Sequence, residues 1–196
     1  MAFLEALARS PNEVDLGTVD EALGAGASPA GLEHASMMVA LFSVMNRMVD
    51  AFGADVTPAQ ADAIGRALNT AGGATGRGKP RAWTRLDGQV PERLQLQRDA
   101  IRSGPGDSPK ELRAAVADAV ARRSGDPTAG GAVLPPELSA IADTLANDAH
   151  GMTDAHIENG RHAGWSEEAL YEFIFCAAFA SGLTRLRHAL TLLAER

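Results

Sequence analysis

The 196-residue chain is poor in cysteine, lysine and aromatic side chains. Its single cysteine, Cys176, excludes an internal disulfide framework and any zinc site built from several thiolates of one chain. Aromatics make up only 5% of residues and β-branched runs are nearly absent, which argues against a sheet. Of the 18 basic residues only Lys79 and Lys110 are lysine; with the abundant alanine, this reads as coding bias rather than function. Acids outnumber bases 25 to 18, a net charge of −7, so the chain lacks the basic excess of a nucleic-acid binder. No uninterrupted apolar run nears the roughly 20 residues of a membrane span. The opening MAFLEALARSPNEVD lacks a basic flank followed by an apolar stretch, so no signal peptide is read. The expectation is a soluble, cytoplasmic protein without nucleic-acid or membrane partners, long enough to bury a core.

What is present is helical periodicity. Phe3, Leu4 and Leu7 form a short stripe ended by Ser10-Pro11, and Asp15 to Leu23 forms a second short helix. Ser28-Pro29 is a start signal, a capping serine with proline just inside the helix. Met37, Met38, Leu41, Phe42, Val44, Met45, Met48, Val49 and Phe52 follow at helical spacing and cover more than half the circumference. This helix is therefore expected to be buried on most sides and to stop at Gly53. Thr57-Pro58 opens another helix through Leu68. Residues 72–90, with Arg77, Lys79, Arg81 and Arg85 among glycines, read as a connection. Further helices are expected from Pro91 to Arg102, from Ser108-Pro109 to Gly125, and from Leu134-Pro135-Pro136-Glu137 to the C-terminus. In that last run Gly151–Asp154, Gly164–Glu168 and Gly182–Thr184 are boundaries, with Thr153 and Ser166 as caps. Leu170–Leu183 is the most apolar stretch and the expected core helix. The fold class is all-α.

The segment His156-Ile-Glu-Asn-Gly-Arg-His-Ala-Gly164-Trp-Ser-Glu-Glu-Ala-Leu170 resembles the helix–Gly–x–Ser–Glu–Glu–helix signature of the AhpD-like superfamily, which includes alkylhydroperoxidase D and carboxymuconolactone decarboxylase. In the peroxidase branch a Cys-x-x-Cys-x-x-x-His motif places its histidine eight residues before the glycine, which lands on His156. The same count puts the two cysteines at Ala149 and Met152, and the family's glutamate, twelve residues before the first cysteine, at Glu137. The resemblance covers roughly residues 108–194. Met45 stands before Gly53 as His156 stands before Gly164, which hints at an internal duplication. It implies a single domain over 1–196: an N-terminal helical repeat (1–72), a Gly/Arg-rich connection (73–107) and an AhpD-like core (108–196). It further implies a homo-oligomer, a trimer or hexamer.

Thiol-peroxidase chemistry needs one activated thiolate and a second thiol to resolve the sulfenate. With Ala149 and Met152 at those positions the cycle cannot run, and Cys176, in an apolar helix, reads as a small buried hydrophobe. The decarboxylase branch implies cofactor-free proton transfer on a small organic acid. The candidate acid/base residues are His150, His156 and Glu137, with Glu33 and His34 behind them. Each also has a plainer reading: a helix-end residue for His150, a helix-surface polar group for His156, a first-turn acid complementing the helix dipole for Glu137. His150, His156 and His162 are six residues apart and do not share a helix face, so no metal is expected. Gly73-Ala-Thr-Gly-Arg-Gly78-Lys79 matches the start of a phosphate-binding loop, but a helix is expected before it and Pro80 fills the Ser/Thr position. Trp83, among Arg81 and Arg85, is a candidate interface anchor. Two functions stand open: an acid/base enzyme on a small organic acid, or a non-catalytic subunit, ligand binder or oxidative-stress partner.

Overall fold

The computed structural model describes residues 2–53 and 85–196. The helix expected after Thr57-Pro58, the Gly73–Lys79 motif and Trp83 lie outside the described residues.

Eight α-helices are present among the described residues: α1 (Ala2–Arg9), α2 (Leu16–Gly24), α3 (Pro29–Phe52), α4 (Glu92–Ser103), α5 (Lys110–Arg123), α6 (Pro136–Asn147), α7 (Asp154–His162) and α8 (Glu167–Ala194). Single 3₁₀ turns lie at Pro11–Glu13 and Ala149–Gly151. The caps explain the starts. Asp15 accepts a hydrogen bond from the Thr18 amide at 2.8 Å, Ser28 from Gly31 at 3.1 Å, and Ser166 from Ala169 at 3.1 Å. Gly53 closes α3 in the left-handed region (φ 58°), where a side chain would be strained.

The long α8 is the hub, packing on α3, α5, α6 and α4 as well as on the N-terminal helices. It runs antiparallel to α3: Leu32 shares a cluster with Ala189 and Leu193, Ala40 with Leu183 and Leu186, and Ala51 with Leu170 to Ala177. Gly182 lies inside α8 and is no boundary, contrary to the expectation from Gly182-Leu183-Thr184. A β-carbon there would sit 2.6 Å from Val44 Cγ2 and 2.7 Å from the Ala40 carbonyl oxygen. The glycine is thus a contact point between two helices, and helical hydrogen bonding passes straight through it.

The expectation that α3 is buried on most sides is corrected. Met38, Phe42, Met45, Val49 and Phe52 form an exposed stripe along it, although their helical spacing assigns all five to a core face. Phe52 stacks on the half-exposed Tyr171 of α8 (centroids 5.4 Å apart) and so extends the patch. Apart from Leu32, the buried residues of α3 are instead small or polar: Glu33, Ser36, Ala40, Ser43, Arg47 and Ala51. By length and composition α3 and α8 are each apolar enough to cross a membrane, although polar residues interrupt the apolar run in both. In α8 that length is largely consumed by packing, with 78% of its most apolar window buried; in α3 the figure is 28%.

Candidate functional site

Because α3 buries its small and polar side, a cavity of about 600 Å³ remains between α1, α3, α8 and the turn at residues 147–150. Leu4 and Ala8 of α1 with Met38, Val39 and Phe42 of α3 form an apolar wall. Asn46, Asp50, Asn147, Asp148 and His150 form a polar end, and Ser43, Arg47 and Arg185 lie along the cavity as well.

Arg47 and Arg185 dominate its electrostatics. Their residues are only 9% and 3% exposed. Each guanidinium turns Nη1 onto its own helix: Arg47 donates to the Ser43 carbonyl (3.3 Å) and hydroxyl (2.5 Å), Arg185 to the Ser181 carbonyl (3.2 Å) and hydroxyl (2.5 Å). Arg47 Nε also donates to the Leu145 carbonyl at 2.7 Å, tying α3 to α6. Arg185 Nε is buried with no partner. Neither arginine forms an ion pair among the described residues. Burial, and then the charge of Arg47, push the Arg185 pKa well below the usual arginine range. Burial lowers that of Arg47 too, against the opposing pull of Asp50. Two guanidiniums removed from water, with no carboxylate in ion-pair contact among the described residues and only the pull of Asp50 on Arg47 to offset burial, cost several kcal/mol unless something anionic joins them.

At the polar end, the 3₁₀ turn presents His150, whose Nδ1 lies 3.1 Å from Asp50 Oδ1. The imidazole is 87% exposed and the Asp50 carboxylate only 18%. An Nδ1–H donated to the carboxylate leaves Nε2 as the basic nitrogen, the arrangement that orients a histidine for proton transfer.

The other sequence candidates sit elsewhere. His156 does not line this cavity; its Nδ1 accepts the Thr153 amide hydrogen (3.2 Å) and lies 3.0 Å from the Thr153 hydroxyl, and its Nε2 lies 3.3 Å from Thr144 Oγ1. Both ring nitrogens therefore secure the joint between α6 and α7. Glu137 accepts from Trp165 Nε1 at 2.9 Å, holding the turn before α8, where Trp165 packs edge-on against Phe173. Glu33, fully buried, accepts from Arg85 Nε (2.9 Å) and the Leu86 amide (2.7 Å), fastening residues 85–86 to α3. His34 does not line the cavity either. Of the three residues read as catalytic, only His150 belongs to the cavity. No group of three His, Cys, Asp or Glu side chains with metal-holding geometry occurs among the described residues.

Sequence reasoning missed Arg47, Arg185 and Asp50. The available signal was a serine four residues before an arginine inside an apolar helix, present twice: Ser43 with Arg47 and Ser181 with Arg185.

A second cavity, about 430 Å³, opens between α4, α5 and α8. Cys176 borders it, 1% exposed, and burial raises the thiol pKa to about 12. Its thiolate is correspondingly disfavoured.

No protein-family model, no curated protein and no solved structure matches the chain.

Proposed function

We propose that the chain is an AhpD-like helical protein of the carboxymuconolactone-decarboxylase kind, without the peroxidase thiols, that acts on a small organic acid in the α1–α3–α8 cavity. The observation that carries the reading is the pair of buried guanidiniums, Arg47 and Arg185, lining one cavity with no carboxylate paired to either among the described residues. Buried arginine donors recognise carboxylates through charge-assisted hydrogen bonds. They would hold the acid group, and His150, oriented by Asp50, would exchange a proton with the substrate without a cofactor. His156 and Glu137, though at the positions the resemblance selects, take the role of structural fasteners in this reading.

The non-catalytic alternative rests on the exposure of His150: a rim imidazole surrounded by solvent suits a ligand gate as well as a general base. The two are separated by assaying a panel of small organic acids with wild type, His150→Ala and Arg47→Met. An enzyme loses turnover in His150→Ala while retaining binding. A binder shows no turnover with any acid, and keeps its affinity in that variant. Failure of every acid to bind would remove both readings.

The exposed Met45, Val49 and Phe52, which lie outside the cavity lining, with Tyr171 support the expected homo-oligomer as a further part of this reading, since an apolar patch of this kind marks interaction surfaces.

A further inference from the structure

We infer that the ligand is an amphipathic monoanion: one carboxylate seated between Arg47 and Arg185, carrying an apolar tail that lies along α1 and the N-terminal half of α3. This rests on the acid-binding reading above and specifies its ligand class.

The cavity is polarised along its length. Its lining on α3 runs from Ala35 to Asp50, about 22 Å of helix at 1.5 Å per residue. From Ala35 to Phe42 that lining is apolar and faces Leu4 and Ala8 of α1; from Ser43 to Asp50 it is polar and faces Asn147 to His150. The head-group donors are defined by elimination. Each arginine spends Nη1 on its own helix, and Arg47 spends Nε on Leu145. The orphaned Nε of Arg185 has no partner, and neither Nη2 group has an acceptor among the described residues. That leaves donors enough for one bidentate oxyanion.

A second anionic group has nowhere to go. At the polar end it meets Asp50 and Asp148. At the apolar end it meets Leu4, Met38 and Phe42, where a desolvated carboxylate has no partner. Arg9, the remaining arginine or lysine among the described lining residues, is engaged by Glu5 at 3.1 Å in solvent. A hydrocarbon tail, by contrast, covers Met38 and Phe42, which are 49% and 47% exposed without it.

The test is calorimetric titration of the full chain with butanoate, hexanoate and octanoate, and with the eight-carbon dicarboxylate suberate, repeated on Arg185→Met and on the surface variant Met38→Ser. The expected result is affinity rising by up to about fourfold per added CH₂, suberate at least tenfold weaker than octanoate, a shallower chain-length series in Met38→Ser, and no saturable binding in Arg185→Met. Arginine-dependent binding that ignores chain length, or suberate binding as tightly as octanoate, overturns the monoanion inference and leaves the acid site standing. Absence of carboxylate binding in the wild type, or binding indifferent to Arg185→Met, overturns the acid-site reading and this inference together. Because Met38→Ser alters an exposed position, the series remains interpretable if Arg185→Met does not fold.

Discussion

Arg47 and Arg185 line one cavity from two antiparallel helices, each holding the hydroxyl of a serine four residues earlier in its own helix. The local device is the same on both helices, and it settles where the guanidiniums point. Nη1 is drawn onto the helix in both; Arg47 Nε is spent on the Leu145 carbonyl, while Arg185 Nε and both Nη2 groups have no protein acceptor among the described residues. Both charges therefore burden the ligand-free fold.

That burden makes the first prediction. Replacing Arg185 by methionine removes a buried, unpartnered charge while keeping volume, and Ser181 retains Ser124 at 3.3 Å. The ligand-free protein is expected to gain about 1–3 kcal/mol in stability, read as a rise in Tm by differential scanning calorimetry. A fall in Tm would show that Arg185 is a structural cation.

Glu172 gives the pH dependence. Burial raises its pKa, but hydrogen bonds from the Ser108 hydroxyl and amide and the Asp107 amide, with the charge of Arg113, outweigh burial and hold it below the ordinary glutamate value. A carboxylate depressed in the folded state stabilises above its unfolded pKa, and that contribution disappears as pH falls through the folded value. Glu172→Gln is expected to cost about 1–2 kcal/mol at neutral pH, with wild type and variant converging in acid below the glutamate range. Urea titrations at pH 7 and pH 3 would show this, and a gap that persists unchanged at pH 3 would refute it.

Gly182 reports on the α3–α8 contact. Alanine there meets Val44 and the Ala40 carbonyl closer than atoms pack, and the carbonyl belongs to a helix that cannot yield locally. The expected loss is about 1–3 kcal/mol, despite alanine's better helix propensity. Denaturant midpoints for Gly182→Ala decide the matter; a stabilised variant would mean the helices are not packed so closely.

Cys176 should be silent. Its burial and raised pKa predict that a thiol-specific aromatic disulfide at pH 8 leaves the native protein unmodified and labels one thiol per chain after denaturation. Rapid labelling of the native protein would contradict this placement.

The helical class and several helix boundaries were legible because capping residues and breakers act locally. Ser28-Pro29, Ser166 and Gly53 behave as their chemistry requires. Two readings failed for non-local reasons. The apolar count on α3 could not reveal that α8 packs on its small-residue side, leaving Met38 to Phe52 outward. Gly182 looked like a breaker because sequence does not show a helix crossing at that point. The cavity was legible only through His150. Asp50 is 100 residues from it in sequence. Arg47 and Arg185 were hidden because a basic residue in an apolar helix reads as a surface group until the fold buries it.

The central claim is that Arg47 and Arg185 form an acid-binding pair, and one measurement reaches it most directly. Octanoate is titrated calorimetrically into the wild type and into Arg47→Met under identical conditions. The account predicts saturation at one site per chain in the wild type and at least a tenfold loss of affinity in the variant. Equal affinity in the two proteins would contradict it.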